Sequence, residues 1–561
     1  MNRTTTKYFY HVALGFMLML SAACSKDKTD VRAGNEPDYS NMAKSTTRLV
    51  TFNSNIDVMV NGIKVTNWRF TPANSGYPNT YPTQYFPANG KLSSVWYLPQ
   101  QFLDSKGQAF IKTGSPGEPS LPDYISDSFN VKDDYYHPSD YYLGTSATTN
   151  SNGTYGVTVV PRTTALPADP SHIRIRLVNL CSAIGNGGSG TLTLAYADGS
   201  AVSSATSGIA NHAWSDYIEL PYGTYQFKVL IDGTGVQIPG KPAMLTSVTS
   251  MDNYSLGGTQ VYYSPVQTFQ PGGVYTIAAG ITGGAYQYAE YPLFPNCFSV
   301  ITDVDPPVNI TYGRVQVVNA AAEGESGLNV QVDDMPARRI AYGKAGEYVT
   351  LVAGKHHIRI AGNAAVEKDI ELKGGDNLTV WAWPATDNST SLTVTSNNMG
   401  GIRVNGGNAD GSDATNNIYN PLAFRMLLQA RFLNLCPDLP YVTFTDTNGA
   451  LFREDIFSSA VAAQHLRPGQ APDPAAVPYP YVDLKFLTGG NIQAYSSQPG
   501  VLPGNRLTGV AALTPADFVR MPGSFFPDGN YGSEPGVYTI ALAGRNAAGK
   551  NPKMIVIKHN Q

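Results

Sequence analysis

Few residues in this chain stand at spacings that could carry out a reaction, and each has a plainer reading. Gly185-Asn186-Gly187-Gly188-Ser189-Gly190 spells GxGxxG. A dinucleotide loop needs a strand before it and a helix after it, so that helix amides face the pyrophosphate. Here Thr191 to Tyr196 follows and alternates as a strand does, so a hairpin loop is expected. Gly324-Glu325-Ser326-Gly327 lacks the glycine spacing of a nucleophile elbow and lies between two strand-like runs. His356 and His357 are adjacent, and neighbours on a strand point to opposite faces, so they do not chelate together. Asp303-Val304-Asp305 and Asn408 to Asp413 offer oxygens for calcium but lack the twelve-residue loop and closing Glu of an EF-hand. The pair Asp133-Asp134 has no partner that fixes a catalytic separation. His465 is the one convincing base among the inserts near the C-terminus, and a lone base does not define a site. No Cys/His spacing suggests zinc. The expectation is a protein without catalytic residues, cofactor or metal.

A second kind of chemistry is recognition by aromatic rings. Tyr77, Tyr81, Tyr85, Tyr135, Tyr136, Tyr141 and Tyr142 lie among Pro, Asn, Ser and Gly, without strand alternation. Rings of this kind stack on sugar faces when loops on a rigid scaffold present them. They serve equally to pin long loops onto a core. As ligand-binding candidates they point to a glycan or a surface protein as partner.

The elements that would hold such loops are short and recurrent. Arg176-Leu177-Val178-Asn179-Leu180-Cys181 returns as Arg431-Phe432-Leu433-Asn434-Leu435-Cys436. Looser copies are Gln316-Val317-Val318-Asn319-Ala320 and Arg48-Leu49-Val50-Thr51-Phe52. Each precedes a second apolar run that ends in a turn signal, such as Asn61-Gly62 or Ala197-Asp198-Gly199. A late segment also recurs, Gly273-Val274-Tyr275-Thr276-Ile277-Ala278 and Gly536-Val537-Tyr538-Thr539-Ile540-Ala541. The repetition predicts one β unit used four times, over residues 46–161, 172–303, 312–396 and 424–561. We call these modules one to four. The first carries the Tyr-rich insert and the fourth carries inserts in which 455–466 reads as a helix and Thr514-Pro515 as a helix start.

Composition agrees. The chain has 561 residues, too many for one core, with only 14% charged, 55 Gly, 39 Pro and 34 Tyr. The net charge is −4 and there is no basic stripe, so nucleic acid is not an expected partner. Cys181 and Cys436 hold the same place in two repeats. They read as small buried apolar side chains, or, for the first, as half of a Cys181–Cys297 disulfide.

Residues 1–23 form a targeting segment: Arg3 and Lys7, an apolar run from Val12 to Leu20, then Ser21-Ala22-Ala23 before Cys24. This resembles a bacterial lipoprotein signal, which implies cleavage before Cys24 and its lipidation. Ser25-Lys26-Asp27-Lys28-Thr29-Asp30 is similar to the export tether of surface-exposed lipoproteins, so 24–45 is expected to be a polar tether. No later apolar run reaches a membrane-helix length. With the Leu-x-x-Gly-x-Tyr segment at Leu220 to Tyr225, the repeats resemble the bacterial Ig-like family catalogued as domain of unknown function 4397. That resemblance implies an all-β fold of tandem Ig-like β-sandwich modules and an extracytoplasmic location, and it implies no activity. The resulting expectation is a non-enzymatic lipoprotein of the outer membrane, exposed on the cell surface, for binding or adhesion. Alternatives are a structural pilus or fimbria subunit or anchor, and a glycan-capture accessory of a polysaccharide uptake system.

Overall fold

The computed structural model describes residues 42–51, 57–67, 83–86, 90, 92, 95–115, 124–143, 156–180, 191–196, 200–232, 246–247, 267–280, 286–288, 291–293, 298–321, 327–361, 366–387, 389–397, 428–453, 460–471, 480–484, 490–518, 536–547 and 552–560. Among them the regular structure is β-strand and short 3-10 turns, with no α-helix. The expected helix at 455–466 is not formed over its described part. Val461–Ala463 is a single 3-10 turn, while 454–459 lie outside the described residues. Thr514 does cap a turn, Pro515–Asp517, but only one.

The chain divides into two compact units. The smaller contains the sheet Ile63–Lys64, Asp57–Val60, Gln108–Ser115, Tyr124–Lys132, in that order. Its first hairpin turns at Asn61 and Gly62, both at positive φ (49° and 83°). The Asn61 side chain secures the turn, donating to Phe102 O and accepting from Phe110 N. Val58, Val60, Ile111 and Val131 are among its buried residues.

The larger unit repeats one pairing four times. In each module the first strand runs parallel to a late strand, and in each the late strand then pairs antiparallel with the last. The parallel pairs are Lys44–Thr51 with Ser139–Leu143, His172–Leu180 with Val274–Gly280, Tyr312–Asn319 with Asn377–Pro384, and Leu428–Leu435 with Gly536–Ala543. The last strands are Thr158–Pro161, Phe298–Val304, Thr390–Ser396 and Lys553–Lys558. A second sheet faces this one in modules two to four. In module three it is Arg338–Ile340, Leu328–Val332, Gly354–Ala361 and Val366–Leu372. Val315, Val317 and Val380 from one sheet meet Val330, Ile358 and Ile360 from the other, which makes the core of a β-sandwich.

The first strands are buried on both faces. Ile173, Ile175 and Leu177 enter the core of their own module. Val178 and Leu180, on the opposite face, pack with Val50, Tyr142 and Val160 of module one. The same occurs farther on, where Val318, Trp381 and Trp383 of module three pack with Leu433, Leu435, Ala541 and Ile555 of module four. Modules one and two are therefore docked sheet to sheet, and so are modules three and four. Strands covered on two sides read as near-continuous apolar runs, as Leu177 to Leu180 does.

Two corrections concern tyrosines. Tyr141 and Tyr142 are not on loops. They lie on the late strand Ser139–Leu143, 7% and 0% exposed, with Tyr142 inside the junction core. Tyr85 is also buried, at 4%, with its ring 5.3 Å from that of Phe102.

Candidate functional site

Of the seven candidate tyrosines, Tyr135 and Tyr136 present their rings to solvent, at 74% and 82% exposure. Tyr77 and Tyr81 lie outside the described residues, as does Cys24. The two exposed rings stand edge to face, centroids 5.5 Å apart at 89°, one of the arrangements their quadrupoles favour. The turn beneath them is fixed by the Asp133-Asp134 pair. Asp133 Oδ1 accepts from Thr46 N (2.8 Å), Thr46 Oγ1 (2.6 Å) and Thr47 N (3.0 Å). Asp134 Oδ1 accepts from the amides of Tyr136 (3.0 Å) and His137 (3.1 Å). Those amide bonds, His137 first, hold the Asp134 carboxyl below its usual range. These carboxylates thus shape a turn, and what the turn offers is an aromatic corner with Asp134 and His137 at its edge.

The other sequence candidates fall into structural roles or outside the described residues. Residues 185–190, 324–326 and 408–413 belong to the latter group, as do Cys181 and Cys297. His356 Nε2 bonds Val352 O at 2.7 Å, four residues back. Tyr225 Oη makes the same bond to Pro221 O, also at 2.7 Å. His356 is thus module three's counterpart of a tyrosine that closes the corner between two strands. His357 points to the other face, toward Asp369 (2.8 Å) and Glu367 (3.4 Å). His465 sits at φ 49°, and among the described residues its ring bonds no serine, cysteine or carboxylate. Among the described residues no three His, Cys, Asp or Glu side chains converge as a metal cage. Among them, too, no helix is long and apolar enough to cross a membrane.

The most organised polar chemistry lies at the two docked junctions. Every module supplies three buried positions to it: one on the first strand, one opposite on the late strand, and one at the end of the last. In modules one to four these are Arg48, Asp140 and Arg162; Arg176, Thr276 and Asp303; Gln316, Thr379 and Asn397; Arg431, Thr539 and His559. The third position reaches back to the second in all four. Arg162 Nε donates to Asp140 (3.1 Å), Thr276 Oγ1 to Asp303 (2.5 Å), Asn397 Nδ2 to Thr379 Oγ1 (2.5 Å), and Thr539 Oγ1 meets His559 Nε2 (2.7 Å).

The first position crosses to the partner module, and does so reciprocally. Arg48 donates to Asp303 Oδ1 (2.5 Å) and Thr302 O (2.8 Å) of module two, while Arg176 donates to Pro161 O (2.5 Å) of module one. Gln316 donates to His559 Nδ1 (2.9 Å) of module four, while Arg431 donates to Ser396 O (2.6 Å) and to Asn397 Oδ1 of module three. Each junction is a pseudo-twofold exchange. The electrostatics differ. Burial alone would raise the Asp140 pKa, but Arg48, Arg162 and Arg176 outweigh it and hold the carboxyl below its ordinary value. At the second junction burial, with Arg431, pushes His559 well below its ordinary value.

A family model described as Domain of unknown function (DUF4397) matches residues 302–409, a stretch that contains module three. No curated protein matches the sequence. Among solved structures, the Bacillus anthracis TIE protein is similar at 10% identity and a TM-score of 0.12, over 59% of this chain and 48% of that one. The chain thus spans about half the length of that relative. A candidate cell adhesion protein of Bacteroides ovatus is similar at 8% identity and a TM-score of 0.13, over 40% of this chain and 96% of that one. Another, from Bacteroides fragilis, is similar at 10% identity and a TM-score of 0.12, over 64% and 97%.

Proposed function

We propose that this protein is a non-enzymatic surface lipoprotein, acylated at Cys24, that binds a glycan or a surface protein through the aromatic corner at Tyr135 and Tyr136. The observation that carries the reading is the combination of exposure and rigidity at that corner. Two rings stand open to solvent on a turn held by a pair of aspartates. A preformed aromatic surface keeps the ordering cost of binding low, and a tyrosine offers both a ring face and a hydroxyl. Docked β-sandwich pairs would supply the stiff support that such a corner needs.

The test is a double variant, Tyr135→Ala with Tyr136→Ala, in the full chain, assayed on arrays of bacterial and host glycans and on intact cells. Ligands of the unsubstituted protein should bind at least about tenfold more weakly, a change of ~1.4 kcal/mol, with the unfolding midpoint unchanged. Undiminished binding would move the site elsewhere. Protection of the chain from protease added to intact cells would defeat the surface reading itself.

A further inference from the structure

The two junctions have the same geometry and different chemistry, and that difference has a consequence. In the first, two carboxylates, Asp140 and Asp303, sit among Arg48, Arg162 and Arg176. The histidine that crosses it, His212 of module two, is exposed and meets Thr158 Oγ1 of module one at 2.7 Å, a hydroxyl that accepts from the charged ring as well as from the neutral one. In the second, the corresponding places hold Thr379, Asn397, Thr539 and His559, so the buried side chain there whose ordinary pKa lies near neutrality is a histidine.

Its surroundings admit only the neutral ring. The Gln316 amide donates to Nδ1, so Nδ1 carries the lone pair and Nε2–H faces Thr539 Oγ1. A proton added at Nδ1 would meet the amide N–H instead of an acceptor. The charged and titratable neighbours are Arg431 on module four's first strand, Tyr481 beneath Arg431, and Tyr348, which bonds Gln316 and Asn397 and covers Arg314. Trp381 stands edge-on to the ring at 6.4 Å. Among the described residues no carboxylate pairs with His559, so protonation would set a second buried cation beside Arg431 without a counter-charge.

We propose that the docking of modules three and four is an acid-released clasp keyed by His559, while its carboxylate-keyed counterpart between modules one and two stays closed in mild acid. Release uncovers the apolar faces now joined through Val318, Trp381, Trp383, Leu433 and Ile555. The direction follows from linkage. The ring has its ordinary pKa near 6.5 when open and a depressed one when docked. Docking is therefore strongest above about pH 6.5 and weakens as pH falls, by up to tenfold in the opening constant per pH unit.

Thiol labelling tests this in the full chain. Val178→Cys and Val318→Cys place a thiol at corresponding buried positions of the two junctions, one in each of two variants. The ratio of their labelling rates cancels the pH dependence of the thiol itself. Between pH 6.5 and 5 that ratio should rise toward position 318, by up to about 16-fold over the whole interval, and His559→Gln should flatten it. Cys436, in the core of module four, should keep pace with position 178, which separates undocking from unfolding. A flat ratio with His559 intact would overturn the proposal. So would a rise that persists in His559→Gln, or an equal rise at Cys436.

Discussion

Replacing Arg48 by Met should cost far more than replacing Arg431 by Met, although the two arginines hold the same place in their modules. Arg48 is fully buried and donates to Asp140 Oδ1 (2.7 Å) and Oδ2 (2.5 Å), to Asp303 Oδ1 (2.5 Å) and to Thr302 O (2.8 Å). Without it Asp140 keeps Arg162 at 3.1 Å, and Asp303 keeps, among the described residues, the hydroxyls of Tyr217 (2.8 Å) and Thr276 (2.5 Å). Removing one partner of a buried ion pair costs about 3–5 kcal/mol, because a charge is left without its counter-charge. Arg431 instead bonds Ser396 O, Asn397 Oδ1 and Thr539 Oγ1, all uncharged. Its removal loses charge-assisted hydrogen bonds of about 1.5–3 kcal/mol each but also a desolvated cation whose burial opposes folding by several. The net cost should stay under about 2 kcal/mol, since Met retains most of the volume. Pulse proteolysis across a urea series, with fragments mapped by mass, follows each module pair separately. With a slope of about 1–3 kcal/mol/M, Arg48→Met should lower the first pair's midpoint by at least about 1 M. Equal shifts in the two variants would refute the reasoning. The sign in pH is also fixed: Asp140 is held below its ordinary value near 3.8, so its contribution is present above that pH and lost below it.

Asn434 ties down the loop after the first strand of module four. It donates to Leu439 O (2.8 Å) and Leu466 O (3.1 Å) and accepts from Cys436 N (3.0 Å). Asn434→Ala orphans these buried groups and should cost about 2–4 kcal/mol, measured as a lowered urea midpoint; a loss under about 0.5 would contradict it. Burial pushes the Cys436 thiol up to about 11, and the side chain is fully covered. Iodoacetamide at pH 8 should therefore modify it only in denaturant, and rapid labelling of the native protein would be the adverse result.

Much of this fold was legible in the sequence because the repeated segments are the paired ones. The Arg176 and Val274 segments, recognised separately, lie side by side in register, Arg176 opposite Thr276, and Arg431 opposite Thr539 likewise. The hairpin at Asn61-Gly62 was readable from its positive-φ residues. The late strand of module one was not. Ser139 to Leu143 carries Asp140 where the other modules carry Thr, and its tyrosines follow a polar, Pro-containing stretch, so the run resembled a loop. Of the aromatic candidates, position relative to the strands decided exposure: Tyr135 and Tyr136 lie on the turn before that strand, and Tyr141 and Tyr142 lie on it.

The junctions left a trace that the half-buried model of a sandwich strand does not explain. A strand with one wet face alternates, whereas Arg431-Phe432-Leu433-Asn434-Leu435 does not. Its even positions Phe432 and Asn434 face module four's own core and loop, while Arg431, Leu433 and Leu435 face module three. An arginine inside such a run cannot reach water from a doubly covered strand, so its presence requires acceptors supplied by another layer. Which acceptors was beyond the reach of spacing alone. Asp303 looks like part of a boundary, Asn397 like the start of a linker and His559 like a terminal residue. Only the pairing of each last strand with its late strand brings them opposite Thr276, Thr379 and Thr539. Because Arg48, Arg176, Gln316 and Arg431 each bond the partner module's last strand or the residue that ends it, the docked pair, rather than the single sandwich, is the unit in which these side chains find their acceptors. Excising one module would strand buried polar groups of its neighbour.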